Sequence, residues 1–331
     1  MTRKKKATIK DICQLTGLSL GCISKYLNGG NVLEENKIKI EKAIETLGYE
    51  VDLFARSMKT GSTKLIAIII PDLSNAFYAV VASTISKHLQ ENGYDVVFFE
   101  HNEDRKKEAA LLKKAKQRRY ECVILAPAAK SKEKFKAPDA INLIIIDTII
   151  NGLDNDFVIV NNREIVSKAT DMLFEKGHRK IAGIFHDEIF TGKERIAGFK
   201  ESVKRHHAEA DCDAFSFNGS MEESYSLFEK VFASKKYTAI FTSNYTSTLG
   251  AIFYINKHNI SLPNDVSLLA FDNILLTNLF TPKLTIITQP IEEIGKTVSK
   301  VALDIIKNSN HQKQTYVLDC SIEYGQTVSK I

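Results

Sequence analysis

From Leu65 onward, short apolar runs alternate with longer amphipathic stretches, and this alternation constrains the architecture of the 331-residue chain more than any other feature. Leu65 to Ile70, Val96 to Phe99, Cys122 to Ala126, Leu143 to Ile146, Ile181 to Phe185, Ala239 to Phe241 and Val266 to Phe271 have strand length and almost no polar interruption. Strands buried on both faces read this way. Ala76 to Asn92, Arg105 to Arg119 and Glu164 to Lys176 lie between them with helical spacing. The pattern predicts an α/β fold of parallel sheets covered by helices. There are too many strands for one compact sheet, so two lobes are expected, with a ligand captured between them at the strand ends.

Several function classes find no support. The apolar runs fall far short of the ~20 residues of a membrane span. Arg3 to Lys6 are basic, but Ala7 to Cys13 form no apolar signal core, so a cytoplasmic protein is expected. Cys13, Cys22, Cys122, Cys212 and Cys320 are scattered without C-x-x-C spacing, which argues for buried thiols over a disulfide framework or a structural metal site. No G-x-S-x-G elbow is present, since the one such run, Gly17 to Gly21, has no strand before it; H-E-x-x-H does not occur, and Gly192-Lys193 is a mere fragment of a phosphate-binding loop. His206-His207 lies in a basic helical run and reads as a solvated face. No enzyme, cofactor or metal is expected.

The net charge of +5 is unevenly placed. Residues 1 to 64 hold 12 Lys and Arg against 7 Asp and Glu, whereas the rest of the chain is neutral. A polyanion partner at this end would explain the bias.

Within that segment, Thr8 followed by Asp11 marks a helix start, with Ile12 and Leu15 on its apolar stripe. Gly17 interrupts it, Ser19 caps a second helix, and Asn28-Gly29-Gly30 ends that helix near Leu27. Ile40, Ala43, Ile44 and Leu47 give a third helix its core face. Two short helices across a glycine turn form the helix-turn-helix pattern. Ile23 and Leu27 would pack inward, while Leu20, Gly21, Ser24, Lys25 and Asn28 face outward, able to enter a major groove. Ser19 and Ser24 suit phosphates, and Thr8 joins this candidate DNA surface.

The runs Thr8-Ile9-Lys10-Asp11-Ile12, Leu18-Ser19, Ile23 to Gly29 and Ile44 to Tyr49 together resemble the DNA-binding domain of the lactose-repressor (LacI) family. The resemblance continues through Pro71 to Asn75, Lys176 to Ala182, Arg195 to Phe199, Thr242 to Asn244, Ala270 to Asn273, Thr281-Pro282 and Gln289-Pro290. It implies a helix-turn-helix domain over 1–50, a hinge helix over 51–62, and a two-lobed, periplasmic-binding-protein-like effector-binding and dimerisation domain over 63–331. In the hinge, Met58 stands where the family wedges a base step in the minor groove, with Ala55 and Arg56 beside it. An isolated helix of two turns is unstable in water, so such a hinge orders only against a partner.

The family also implies effector contacts at Asp147, Arg195, Asn244 and Asp272, with Phe77 and Tyr78 as an aromatic wall. Asp147 also reads as a strand terminator and Phe77 as core, while Asp72 and His178 read as turn or cap residues. The implied protein is a homodimeric regulator, a repressor in sense, on near-palindromic double-stranded DNA, controlled by a small molecule such as a sugar. Control by a protein partner, a degenerate pocket, or a cytosolic solute-binding protein or sugar enzyme on the same fold are the competing readings. Departures from the family pattern fall at Leu20, Gly21, Lys25, Val51, Ala76, Met221 and Tyr245. Operator and effector preference therefore do not transfer from relatives.

Overall fold

Asp11 sets the first helix. Its carboxylate accepts the Thr8 backbone N–H and the Thr8 hydroxyl, both at 2.7 Å. The Thr8 hydroxyl donates to the carboxylate while facing the Asp11 backbone N–H, so the expected capping box closes the start of the helix. The computed structural model describes residues 7–50, 57, 61–128, 135–136, 138, 141–209, 211–234, 236–272, 275–308 and 310–331. The chain divides into two compact units, residues 1–63 and 64–331.

In the first unit, α1 (Ile9–Thr16), α2 (Leu20–Leu27) and α3 (Glu34–Leu47) enclose Ile12, Ile23, Ile40 and Ala43, with Ile9, Leu18, Leu27, Ile44 and Leu47 packed around them. Ser19 caps α2 by accepting the Cys22 N–H at 3.2 Å. At its other end, Gly29 (φ 77°) donates its N–H to Tyr26 and Gly30 to the Lys25 carbonyl, at 2.9 and 2.8 Å. This is a Schellman closure, which requires the left-handed backbone that glycine adopts at no steric cost. The hinge residues Ala55, Arg56 and Met58 lie outside the described residues.

The second unit holds two lobes. In chain order come β1 (Leu65–Ile70), α4 (Ala76–Glu91), β2 (Asp95–Glu100), α5 (Arg105–Gln117), β3 (Cys122–Leu125), β4 (Leu143–Ile146) and β5 (Asp156–Val160). Then follow α6 (Asn162–Glu175), β6 (Ile181–Phe185), α7 (Phe190–Arg205), β7 (Asp213–Ser216), α8 (Met221–Ala233), β8 (Ala239–Thr242), α9 (Tyr245–Lys257), β9 (Ser267–Phe271), α10 (Leu275–Asn278) and β10 (Thr285–Thr288). The chain ends with α11 (Ile291–Lys307), β11 (Thr315–Leu318) and β12 (Ser321–Glu323).

One sheet runs β2-β1-β3-β4-β5-β11 with every pair parallel; the other runs β7-β6-β8-β9-β10-β12, parallel except for the antiparallel β12. Three passages join the lobes, after β5, β10 and β11. The second passage carries α11 back onto α4, close enough that a Cβ on Gly295 would meet Thr84 at 2.5 Å. Parallel central strands are buried on both faces, as their apolar runs require: every residue of β3, β4, β5, β6, β8 and β9 is buried.

The seven expected strands form, with ends moved by a residue at most. β5, β7, β10, β11 and β12 were not legible. They are short or mixed with polar residues, and β7, β11 and β12 lie at sheet edges, where one side needs no apolar partner. Cys122, Cys212 and Cys320 are buried thiols, as expected; Cys13 and Cys22 are half-buried.

Candidate functional site

The strand ends of both sheets open onto a cleft of about 390 Å³ between the lobes, within the ~300–1,000 Å³ of small-molecule sites. Phe77, Tyr78, Asp147, Arg195, Asn244 and Asp272 all line it. The structure thus brings together every effector residue expected from the sequence, from five separate segments.

Asp147 directly follows β4 in a left-handed conformation, φ 63°. Asp272 follows β9 at φ 72°. Aspartate tolerates this region better than most residues, yet it remains uncommon. Both carboxyls are turned out at the ends of their strands. Tyr78, on the first turn of α4, donates its hydroxyl to Asp147 Oδ2 at 3.0 Å, and its ring meets Phe77 edge-on at 5.3 Å. Phe77 serves both readings, since it is buried in the main core and lines the cleft. Asp147 likewise ends its strand and reaches the cleft.

Asp272 is 4 % exposed and fully engaged. Its Oδ2 accepts the Tyr245 backbone N–H at 2.8 Å and its Oδ1 accepts Gln289 Nε2 at 2.6 Å. Tyr245 is the first residue of α9, so the carboxylate sits where the helix presents its positive end. Arg195, on α7, is equally buried. Its Nε donates to Asn162 Oδ1 at 2.7 Å, its Nη1 to the Ser243 carbonyl at 2.6 Å, and its guanidinium lies 3.8 Å from the Phe271 ring centre. Asn244 caps α9, accepting the Ser247 N–H at 2.8 Å, so its carboxamide NH₂ is what remains to meet a ligand.

Burial pushes Asp147 up to about 6; Arg195 and the Tyr78 bond hold it down, and Asp272 raises it. Asp272 is also raised by burial, against the pull of Arg195, Gln289 and the Tyr245 N–H. Tyr78 is pushed well above the ordinary phenol range by burial and the neighbouring Asp147. Arg195 therefore serves as the shared countercharge of two desolvated acids.

Sequence reasoning assigned no role to His186, Phe190, Leu249 or Gln289, which also line the cleft. Gln289 lies in a quoted motif, but its partner is remote in sequence. Gly192 marks a close approach that a motif search overlooks: a Cβ there would lie 1.7 Å from the His186 carbonyl oxygen. Asp72 turns its own loop, accepting the Ser74 N–H and hydroxyl, while also lining the cleft. His178 is a buried tie between Thr238 and the Ser329 carbonyl and does not line the cleft. His206 corrects the solvated-face expectation, because its ring stacks on Phe174 at 4.3 Å and bonds Asp171.

In the first unit the outward face of α2 is free of core packing. Leu20 is 52 % exposed, and Thr8, Ser19, Gly21, Lys25 and Asn28 are exposed with it, while Ser24 is half-buried. Asn28 donates its side-chain N–H to the Ser24 carbonyl at 2.7 Å, so it also helps to finish α2. A Cβ on Gly21 would meet nothing nearer than Ser19 Oγ at 3.9 Å, which leaves a gap in the middle of this surface.

Comparison with known proteins agrees with this geometry. Residues 63–324 match the family described as periplasmic binding proteins and sugar binding domain of LacI family. The HTH-type transcriptional repressor PurR of Vibrio parahaemolyticus is 28 % identical over 332 residues, covering 98 % of this chain and 99 % of that one. The lac repressor dimer, solved with operator and the anti-inducer ONPF, shares the fold at a TM-score of 0.84 and 17 % identity over 98 % of this chain and all of that one. A periplasmic binding protein/LacI transcriptional regulator from Alkaliphilus metalliredigens, solved with D-xylulofuranose, aligns at a TM-score of 0.72 and 24 % identity over 80 % of this chain and 99 % of its own. With that family matched across both lobes and a helix-turn-helix repressor matched from end to end, the chain belongs to the LacI family of transcriptional regulators.

Proposed function

We propose that this regulator is a cytoplasmic homodimer that represses from a near-palindromic operator and answers to a sugar or sugar derivative held between its lobes. One observation carries the effector half: Asp147, Arg195, Asn244 and Asp272 converge with the Phe77 and Tyr78 rings on a single cleft. Carboxylates and amide or guanidinium donors satisfy hydroxyls pairwise, and a ring covers the flat apolar face of a sugar. Arg195 and Asp272 are clamped by protein partners, which suits holding a ligand and leaves them poorly placed to move protons. We therefore read the cleft as a binding site and not as an active site.

On DNA, Leu20 is suited to a thymine methyl and Lys25 to a guanine or a phosphate, with Ser19 and Ser24 on the backbone. Gly21 reads nothing, so specificity rests more on the hinge, through Ala55, Arg56 and Met58, and on DNA deformability. Effector binding shifts the lobes between populations that differ in operator affinity.

Footprinting with full-length protein tests both halves. The expected result is one short protected palindrome whose occupancy changes on adding a sugar that also raises the melting temperature. Equal affinity for operator and random DNA sinks the regulator reading. An operator complex indifferent to every ligand that binds sinks effector control.

A further inference from the structure

Four carboxylates line the cleft, Asp72, Glu103, Asp147 and Asp272, against Arg195 and the His186 imidazole. Arg195 is the one permanent cation among the described lining residues, and it faces four acids. Its Nε is taken by Asn162 and one Nη1 proton by Ser243, which closes the side-on fork and leaves the end-on Nη1–Nη2 edge to the cleft. Its charge is already drawn on by the two acids beside it, the buried Asp272 and the half-buried Asp147. His186 is buried against Phe217, with Gly219 so close that a Cβ there would lie 2.7 Å from its ring.

Acceptors, by contrast, are in surplus. Among the described residues Asp147 receives one hydrogen bond, from Tyr78 to Oδ2, so Oδ1 is open to ligand donors. A half-buried carboxylate with one partner is costly until a ligand completes it. The remaining wall is uncharged: Phe77, Ile146, Phe190 and Leu249 alternate with hydroxyl and amide side chains such as Thr148 and Asn244. We propose, on the effector reading given above, that the cleft takes an uncharged or amine-bearing ligand rich in hydrogen-bond donors and rejects anions, so that phosphorylated sugars are not its effectors. Phosphate placed here meets Asp147 and Asp272 with a single guanidinium edge, whose charge those acids already draw on, to hold it, whereas a hydroxyl or ammonium meets open acceptors.

Matched ligands test this on the full-length protein by calorimetry: D-glucose, glucosamine and glucose 6-phosphate; D-ribose and ribose 5-phosphate; cellobiose. The expected outcome is that every ligand that binds is uncharged or an amine, with its phosphorylated counterpart weaker by roughly a hundredfold, because like-charge juxtaposition is penalised strongly at a desolvated site. In Asp147→Asn, removal of one negative charge should narrow that gap by roughly tenfold. A phosphorylated sugar that binds as tightly as its neutral partner overturns the charge rule and leaves small-molecule control standing. If no member of the panel binds while the protein still protects its operator, the sugar-effector reading falls, and the charge rule with it.

Discussion

Asp147 ends β4 in the first lobe, and Asp272 ends β9 in the second, the equivalent strand of a sheet with the same order. Both carry the same left-handed backbone, yet their surroundings diverge. Asp272 is held by Tyr245 and Gln289, and Arg195 beside it by Asn162 and Ser243, before any ligand arrives. Asp147 holds a single tyrosine hydroxyl. One wall of the cleft is preorganised and the other is left for the ligand to complete. A rigid wall keeps the ordering cost of binding low, while an unsatisfied wall gives the ligand something to change, which a regulator needs.

This contrast is broken most directly at Arg195. Arg195→Ala strands the Asn162 carboxamide oxygen and the Ser243 carbonyl, and removes the countercharge of Asp147 and Asp272. Stability should fall by about 3 kcal/mol, read from urea unfolding of the full chain. An unchanged unfolding midpoint would mean that the second-lobe wall is not a stabilising network at all.

A paired substitution sharpens the comparison. Asp272→Ala leaves the Tyr245 N–H and the Gln289 amide without their acceptor, at about 2 kcal/mol. Asp147→Ala strands one tyrosine hydroxyl but also removes a carboxylate that burial penalises, so it should cost less than about 0.5 kcal/mol while abolishing effector binding. Equal losses of stability from the two substitutions would refute the division into a finished wall and an unfinished one.

How much of this was legible beforehand follows the same division. Arg195 and Asp272 stood out inside family motifs, Asp147 through its position after an apolar run, and the burial of β1, β3, β4, β6, β8 and β9 through continuous apolar runs. Their clamps did not stand out. Asn162, Ser243 and Gln289 are ordinary polar residues whose role exists only after three passages of the chain bring them together. His206 misled for a related reason. In sequence it belongs to a basic run, whereas in the fold the Phe174 ring and Asp171 from the neighbouring α6 claim it. Local pattern reports burial and periodicity; partners set by topology are invisible to it.

The unfinished wall also has a pH signature. Folding raises Asp147 from the ordinary carboxylate value of ~3.9 to about 6. A raised acid binds its proton more tightly in the native state, so stability is lost as pH rises from about 4 to about 6 and stays lost above. Asp147→Asn should therefore make the ligand-free protein more stable at neutral pH, by about 1 kcal/mol after allowing for partial solvation, and no more stable below about pH 4. Melting curves across that range are the check. A gain that persists undiminished at the acid end would mean that packing of the amide, and not relief of a buried charge, stabilises the variant.

The lobes differ once more at their last strands. β12 lies antiparallel on β10, whereas β11 lies parallel on β5 and is approached through a loop that His311 pins. His311 Nδ1 bonds Asp304 on α11 at 2.5 Å and Nε2 bonds the buried Asp156 at the start of β5 at 3.0 Å; its side chain is 10 % exposed. With an aspartate at each ring nitrogen, the imidazolium is favoured and His311 is raised above its usual ~6.5. A histidine raised on folding stabilises fully below its unfolded value, and that contribution disappears as pH climbs through the raised folded one. Wild type should thus exceed His311→Gln in stability near pH 6, by less than about 1 kcal/mol, and the gap should close as pH rises through the raised folded value. Because β12 is joined to β10 by an uncharged-donor contact, Thr288 to Glu323 at 2.9 Å, exchange protection of β11 amides should follow this pH course while that of β12 does not. Parallel loss of protection in both strands would place the pH sensitivity in the lobe junction and not in the His311 pin.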